Sequence, residues 1–154
     1  MFASEIGLAV GIGILIGVGV VSRIPQRFAG GDIGFELCLA FTILVGLGHG
    51  FLLAAFVGAI SMGLSGYLTR ERPDDVGIAV LGFLVVAGLV SVFGQVGSLV
   101  VTGVVYTAVY DVLVCGVYLL TGHSPFGCAK FAGTHLIWNY VAFRSFAAVI
   151  LAIL

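Results

Sequence analysis

Four side chains that could carry chemistry fall within one otherwise apolar stretch near the end of the sequence. They lie in THLIWNYVAFRS, residues 134–145, inside the segment 131–154. Histidine can exchange protons, asparagine and tryptophan can hydrogen-bond a ligand, and arginine can pair with an acid. His135, Trp138 and Asn139 are spaced i, i+3 and i+4 and therefore share one face of a helix, whereas Arg144 is turned away from it. We interpret the shared face as one wall of a polar site.

A second set of polar residues lies on the preceding apolar segment, 99–120. Tyr106 and Tyr110 recur at helical spacing, and Asp111 lies beside them. At 1.5 Å per residue, Asp111 is expected about 15 Å and Arg144 about 20 Å below the connecting loop. Because an isolated charge at such depth is costly, we predict that Asp111 and Arg144 pair directly or through water. Glu36 is expected at a depth in the membrane similar to that of the helix face that carries His135. Its depth is expected to differ widely from that of Asp111.

The elements that must position these side chains are helices in a membrane. The chain of 154 residues is 61% hydrophobic and only 8% charged, whereas a soluble domain carries about 25% charged residues. The apolar runs lack the alternation of barrel strands. We predict an all-α polytopic membrane helical bundle of about six transmembrane helices, with five as an alternative, forming a single integral-membrane domain over residues 1–154. The predicted spans are 6–21, 35–47, 51–68, 76–93, 99–120 and 131–154.

Glycines at four-residue spacing mark the first predicted span. Gly7 with Gly11 and Gly13 with Gly17 form two pairs of small residues on helical faces. Such pairs let another helix backbone approach closely. The pattern fits close packing inside the monomer and also fits docking of a partner membrane subunit, and the sequence leaves both open.

Several function classes are disfavoured. A net charge of −1 argues against a nucleic-acid partner. No Walker A, GxSxG or HExxH motif is present, and the two acids expected in the membrane are predicted to lie apart, so we expect no enzyme and no cofactor. The three cysteines lack metal-ligand spacing and His135 has no second histidine at i+4, so no metal site is predicted.

The basic residues favour one orientation. Five of the six lie in the loops after the first, third and fifth predicted spans. The positive-inside rule places those loops in the cytoplasm and both termini outside. Those five residues are Arg23, Arg27, Arg70, Arg72 and Lys130.

The segment DIGFELCLAFTILVGLGHGFLLAAFVGAISMGLSGYL, residues 32–68, resembles the second and third spans of S components, the substrate-binding subunits of energy-coupling factor (ECF) vitamin transporters. The polar last span with HLIWNY is also similar to theirs. The resemblance implies a six-span protein whose first span docks a transmembrane partner through small residues, here the four glycines. It also implies a substrate site formed by loops 1, 3 and 5 with spans 4 to 6, and loops 1, 3 and 5 outside the cell, opposite to the charge rule. MreD-like scaffold proteins of the cell-wall machinery share the pattern.

We therefore expect a solute-binding subunit of a micronutrient transporter, in the lipid bilayer of a prokaryotic plasma membrane, working with partner subunits. The alternatives are a structural scaffold subunit, with a closed Asp111–Arg144 core and no pocket, and an oligomeric channel. In the first hypothesis Asp111 and Arg144 set the electrostatics of the cavity. The side chains expected to contact the solute are Asn139, Trp138, His135, Tyr110 and Tyr106.

Overall fold

The computed structural model describes residues 2–28 and 33–154, and the described residues form helices and no strands. This confirms the predicted all-α membrane bundle. Within these described residues, four helices are long and apolar enough to cross a membrane, and the chain is an integral membrane protein. The helices in chain order are α1 (Phe2–Ser22), α2 (Ile24–Phe28), α3 (Cys38–His49), α4 (Phe51–Thr69), α5 (Pro73–Phe93), α6 (Leu99–Leu120), α7 (Pro125–Ser145) and α8 (Ala147–Ile153).

The central element is the short helix α3. Every residue from Cys38 to Gly46 is buried, and α3 contacts α1, α4, α5, α6, α7 and α8. An apolar helix of this length is typical of a buried core helix rather than a full span. Gly50, with φ of +81°, allows the chain to reverse directly into α4.

Helix α7 differs from the predicted sixth span at both ends. The prediction began at Phe131, but the helix begins at Pro125, because the Ser124 side chain accepts a hydrogen bond from the Gly127 backbone N–H and proline suits the first helical position. The helix ends at Ser145, and α8 follows after Phe146. The earlier start changes which residues of α7 lie at the level of Asp111.

Loop 1 also differs from the prediction. Ile24–Phe28, expected to be irregular, form the short helix α2. The extended segment 33–36 then enters the bundle between α2 and α7, where the Gly34 N–H donates to Thr134 Oγ1 at 2.8 Å. This segment brings Glu36 into the interior ahead of α3.

Candidate functional site

A carboxylate–histidine–carboxylate triad lies at the centre of the bundle. The Nδ1 atom of His135 is 2.6 Å from Asp111 Oδ1, and its Nε2 atom is 3.0 Å from Glu36 Oε1. His135 is completely buried, and the two acids are each 3% exposed. The ring therefore bridges acids from two different parts of the chain, and we call Glu36, Asp111 and His135 the triad.

Three elements position the triad. Asp111 projects from α6 and His135 from α7, which pack closely against each other. Glu36 arrives on the extended segment, which passes close to α7 because Gly34 has no side chain. A Cβ atom at Gly34 would lie only 2.7 Å from the His135 Cα. Glycine is therefore required where the two backbones meet.

Aromatic rings and an amide enclose the triad. Tyr110 contacts the His135 ring edge-on at a centroid distance of 5.5 Å, and Phe131 lies against it at 5.2 Å. The Asn139 amide donates to the His135 carbonyl oxygen at 3.1 Å. The Tyr106 hydroxyl donates to the Gly94 carbonyl oxygen at 2.8 Å. The polar stripes predicted on the two helices thus face each other inside the protein.

The predicted Asp111–Arg144 ion pair is wrong. Asp111 bonds His135, and Arg144 is exposed near the end of α7. Glu36 and Asp111, expected to lie far apart in depth, contact the two nitrogens of one imidazole ring. Since α7 begins at Pro125, His135 rather than Arg144 stands at the level of Asp111.

A polar cavity of about 280 Å³ opens at the end of the bundle where α2, the α4–α5 connection and the α6–α7 connection meet. Its floor contains Arg23, whose guanidinium donates to both Glu71 carboxylate oxygens at 2.8 and 2.9 Å. On the other side, Asp75 lies 3.2 Å from His123 Nε2. The lining residues are Arg23, Gln26, Glu71, Asp75, Tyr118, His123, Ser124, Gly127, Cys128 and Phe131.

The cavity lies where a pocket was expected, at loops 1, 3 and 5, but its lining differs from the prediction. The predicted contact residues are buried in the core, except Trp138, whose ring packs against Phe35 at a centroid distance of 3.9 Å and an interplanar angle of 30°. None of the predicted contact residues lines this cavity, and their contact with a solute stays a prediction. The residues concerned are Asn139, Trp138, His135, Tyr110 and Tyr106.

Phe131 separates the cavity from the triad. Its side chain lines the cavity and also packs against the His135 ring. Gln26, another lining residue, donates to the Phe35 carbonyl oxygen at 2.9 Å, beside Glu36. The cavity and the triad are thus adjacent, and residues that line the cavity contact the triad or the residue beside it.

The four glycines of the two α1 pairs make no close contact with the part of the chain that the structure describes. A Cβ atom at Gly7, Gly11, Gly13 or Gly17 would meet no atom within 4 Å. Gly19, by contrast, packs against Cys38 and Ser61. Of the two interpretations of these four glycines, close packing inside the monomer is therefore wrong, and docking of a partner stays a prediction.

The triad suits proton exchange better than metal binding. Its two acids lie at opposite nitrogens of the imidazole and do not converge on one point. Among the residues that the structure describes, no group of three or more His, Cys, Asp or Glu side chains is arranged to hold a metal ion. A buried histidine between two carboxylates can accept and release protons.

Comparison of the chain with protein-family models, with curated proteins and with solved structures gives no match. The functional argument therefore rests on the site itself.

Sequence reasoning missed the charged residues of the cavity. Arg23 lies in a loop whose basic residues were interpreted only as orientation signals, and no role was predicted for Glu71 or Asp75. One signal was available: loops that emerge at the same end of a bundle bring opposite charges within pairing distance. That signal would have indicated ion pairs at this end, though not the cavity between them.

Proposed function

We propose that this chain is the membrane-embedded solute-binding subunit of a micronutrient transporter in a prokaryotic plasma membrane. The cavity of about 280 Å³ carries this proposal. It concentrates charged and hydroxyl groups at one end of a bundle whose long helices are apolar. Binding sites are concave and present a few convergent polar groups, and this cavity has both properties.

The chemistry of the lining favours a small solute that carries a protonated amine. Arg23 is already engaged by both oxygens of Glu71. Asp75 faces only a histidine, whose charge depends on its protonation. The lining therefore offers acidic acceptors in excess of fixed positive charge, and a cationic nitrogen would complement it.

Partner subunits would act through α1. Each of the two glycine pairs leaves a strip of α1 on which another helix backbone could pack closely, as small-residue faces do in membranes. Movement of the solute across the bilayer would then depend on the partner, because the sequence of this chain contains no nucleotide-binding motif.

The direct test is a thermal-stability screen of purified protein against small amines, amino acids and vitamins. A ligand that binds only the folded state raises the melting temperature. We expect a stabilising solute to lose its effect in Asp75→Asn but to keep it in Asp74→Asn. Asp74 is the matched control because it is exposed and bonded to Arg72, outside the cavity. Equal stabilisation of both variants would place the solute elsewhere.

The alternative is a scaffold subunit of a larger membrane complex. The closed burial of the triad favours it, since a fully enclosed polar cluster can serve to fix helix positions. A scaffold predicts that no solute stabilises the wild-type protein. It also predicts that changing the four glycines of α1 disrupts the membrane complex to which this chain belongs.

A further inference from the structure

Unpaired oxygen atoms surround the triad. Glu36 Oε2 and Asp111 Oδ2 are buried and have no hydrogen-bond partner. Two more unpaired oxygens lie one helical turn from the triad along α6 and α7, namely Thr107 Oγ1 and Asn139 Oδ1. Buried polar atoms are nearly always paired, so four such oxygens around one ionisable cluster require an explanation.

The charge balance of the triad explains these unpaired oxygens. Both nitrogens of His135 face carboxylate oxygens, so both are best satisfied as donors, which makes the ring an imidazolium. One imidazolium between two carboxylates leaves the triad itself with a net charge of −1, and the nearby charge of Arg23 is already paired with both carboxylate oxygens of Glu71. A single additional proton on one carboxyl group removes this charge and turns an unpaired oxygen into a donor. Thr107 Oγ1 and Asn139 Oδ1 are the free acceptors nearest along the two helices.

We infer that the triad is an exchangeable proton-binding site that holds one carboxylic acid, one carboxylate and one imidazolium. Release breaks the carboxyl O–H bond, leaves both its electrons on oxygen as a carboxylate, and transfers the proton to water in the polar cavity. Besides its own members, the titratable or charged groups that face the triad are Arg23 and Cys38 on the Glu36 side, Cys115 on the Asp111 side and Tyr110 against the His135 ring.

Phe131 is the gate on the exchange path. Its ring lines the cavity and also packs against the His135 ring, so it lies on the short route from the triad to the cavity. This inference goes beyond the proposed function, because a proton site can exist whether or not the cavity binds a solute.

Infrared spectroscopy of the purified protein tests the inference. The wild type should show the C=O stretch of a protonated, buried carboxyl group at neutral pH, and the band should shift in D₂O. Either Glu36→Gln or Asp111→Asn should abolish the band, because the remaining acid and the imidazolium are already neutral together. Asp75→Asn, at the cavity, should retain it.

The role of Phe131 is tested by the rate at which the carboxyl C=O band shifts after transfer into D₂O. Phe131→Ala should speed exchange into D₂O, while Phe126→Ala should not, because Phe126 is on the same helix but exposed. Equal rates in both variants would remove Phe131 from the path.

The wild-type spectrum decides the matter even if a variant fails to fold. Absence of the band at neutral pH overturns the inference. Absence of the band together with a melting temperature that rises with sodium concentration also overturns it, and assigns the missing positive charge to a metal cation. Persistence of the band in both Glu36→Gln and Asp111→Asn places the acid elsewhere and contradicts the proposal.

Discussion

Replacing His135 by alanine should be among the most destabilising single changes in the described part of the chain. The side chain makes two charge-assisted hydrogen bonds, at 2.6 and 3.0 Å, to acids that are 3% exposed. Such bonds contribute roughly 1.5–3 kcal/mol each, and breaking a buried ion pair costs roughly 3–5 kcal/mol because a charge is left unpaired. We expect His135→Ala to lower the free energy of unfolding by about 3–5 kcal/mol.

His123→Ala is the matched control. His123 also faces a carboxylate, that of Asp75 at 3.2 Å, but its side chain is 34% exposed. Exposed ion pairs contribute about 0–1 kcal/mol. Both variants would be compared with the wild type by equilibrium unfolding in mixed micelles. If His135→Ala costs no more than His123→Ala, the triad does not hold the bundle together.

The His135→Ala loss should also depend on pH. Without the imidazolium, the carboxylate of the triad stays buried with no positive charge beside it, and neutral carboxyl groups are less costly to bury than ionised ones. Stability of the variant relative to the wild type should therefore improve as the pH is lowered. A deficit that is constant across pH would show that the lost packing, rather than the unpaired charge, is responsible.

Further predictions concern the backbone contacts and the topology. Gly34→Ala should sharply lower the melting temperature because its Cβ would meet the His135 backbone, whereas Gly116→Ala, with no atom within 4 Å, should not. A Cβ atom at Gly17 would also meet no atom within 4 Å. Gly17→Ala should therefore raise the free energy of unfolding of the isolated chain by about 0.5–1 kcal/mol, measured by the same unfolding assay. A lower free energy of unfolding would show that Gly17 packs within the monomer. Asp74→Cys in a cysteine-free background should react with an impermeant maleimide in intact cells if the orientation of S components holds, and only after permeabilisation if the positive-inside rule holds.

The helices could largely be predicted from composition and pattern, because a chain that spans lipid forms either helices or a closed barrel, and this sequence lacks the alternation of barrel strands. Helix α6 agrees with its predicted bounds at both ends. The partner of Asp111 could not be predicted, because it depended on the start of α7. Asp111 lies nine residues before the end of α6 at Leu120 and His135 ten residues after the start of α7 at Pro125, so they share a depth.

The site was only partly predictable for a related reason. The shared face of His135 and Asn139 follows from helical spacing, and both residues are indeed buried together. Whether that face borders a cavity or a closed core depends on the extended segment at Gly34 and Glu36, which fills the space. A single close backbone approach of this kind leaves no periodic pattern in the sequence.

The labelling rate of Cys128 tests the central claim most directly. Cys128 lines the polar cavity, whereas Cys38 is completely buried. In a protein with Cys38→Ala and Cys115→Ala, a small water-soluble maleimide should label Cys128, and a solute that raises the melting temperature should slow the labelling. Labelling that is absent, or that is unchanged by every stabilising solute, would contradict a water-filled cavity that binds a solute at this end of the bundle.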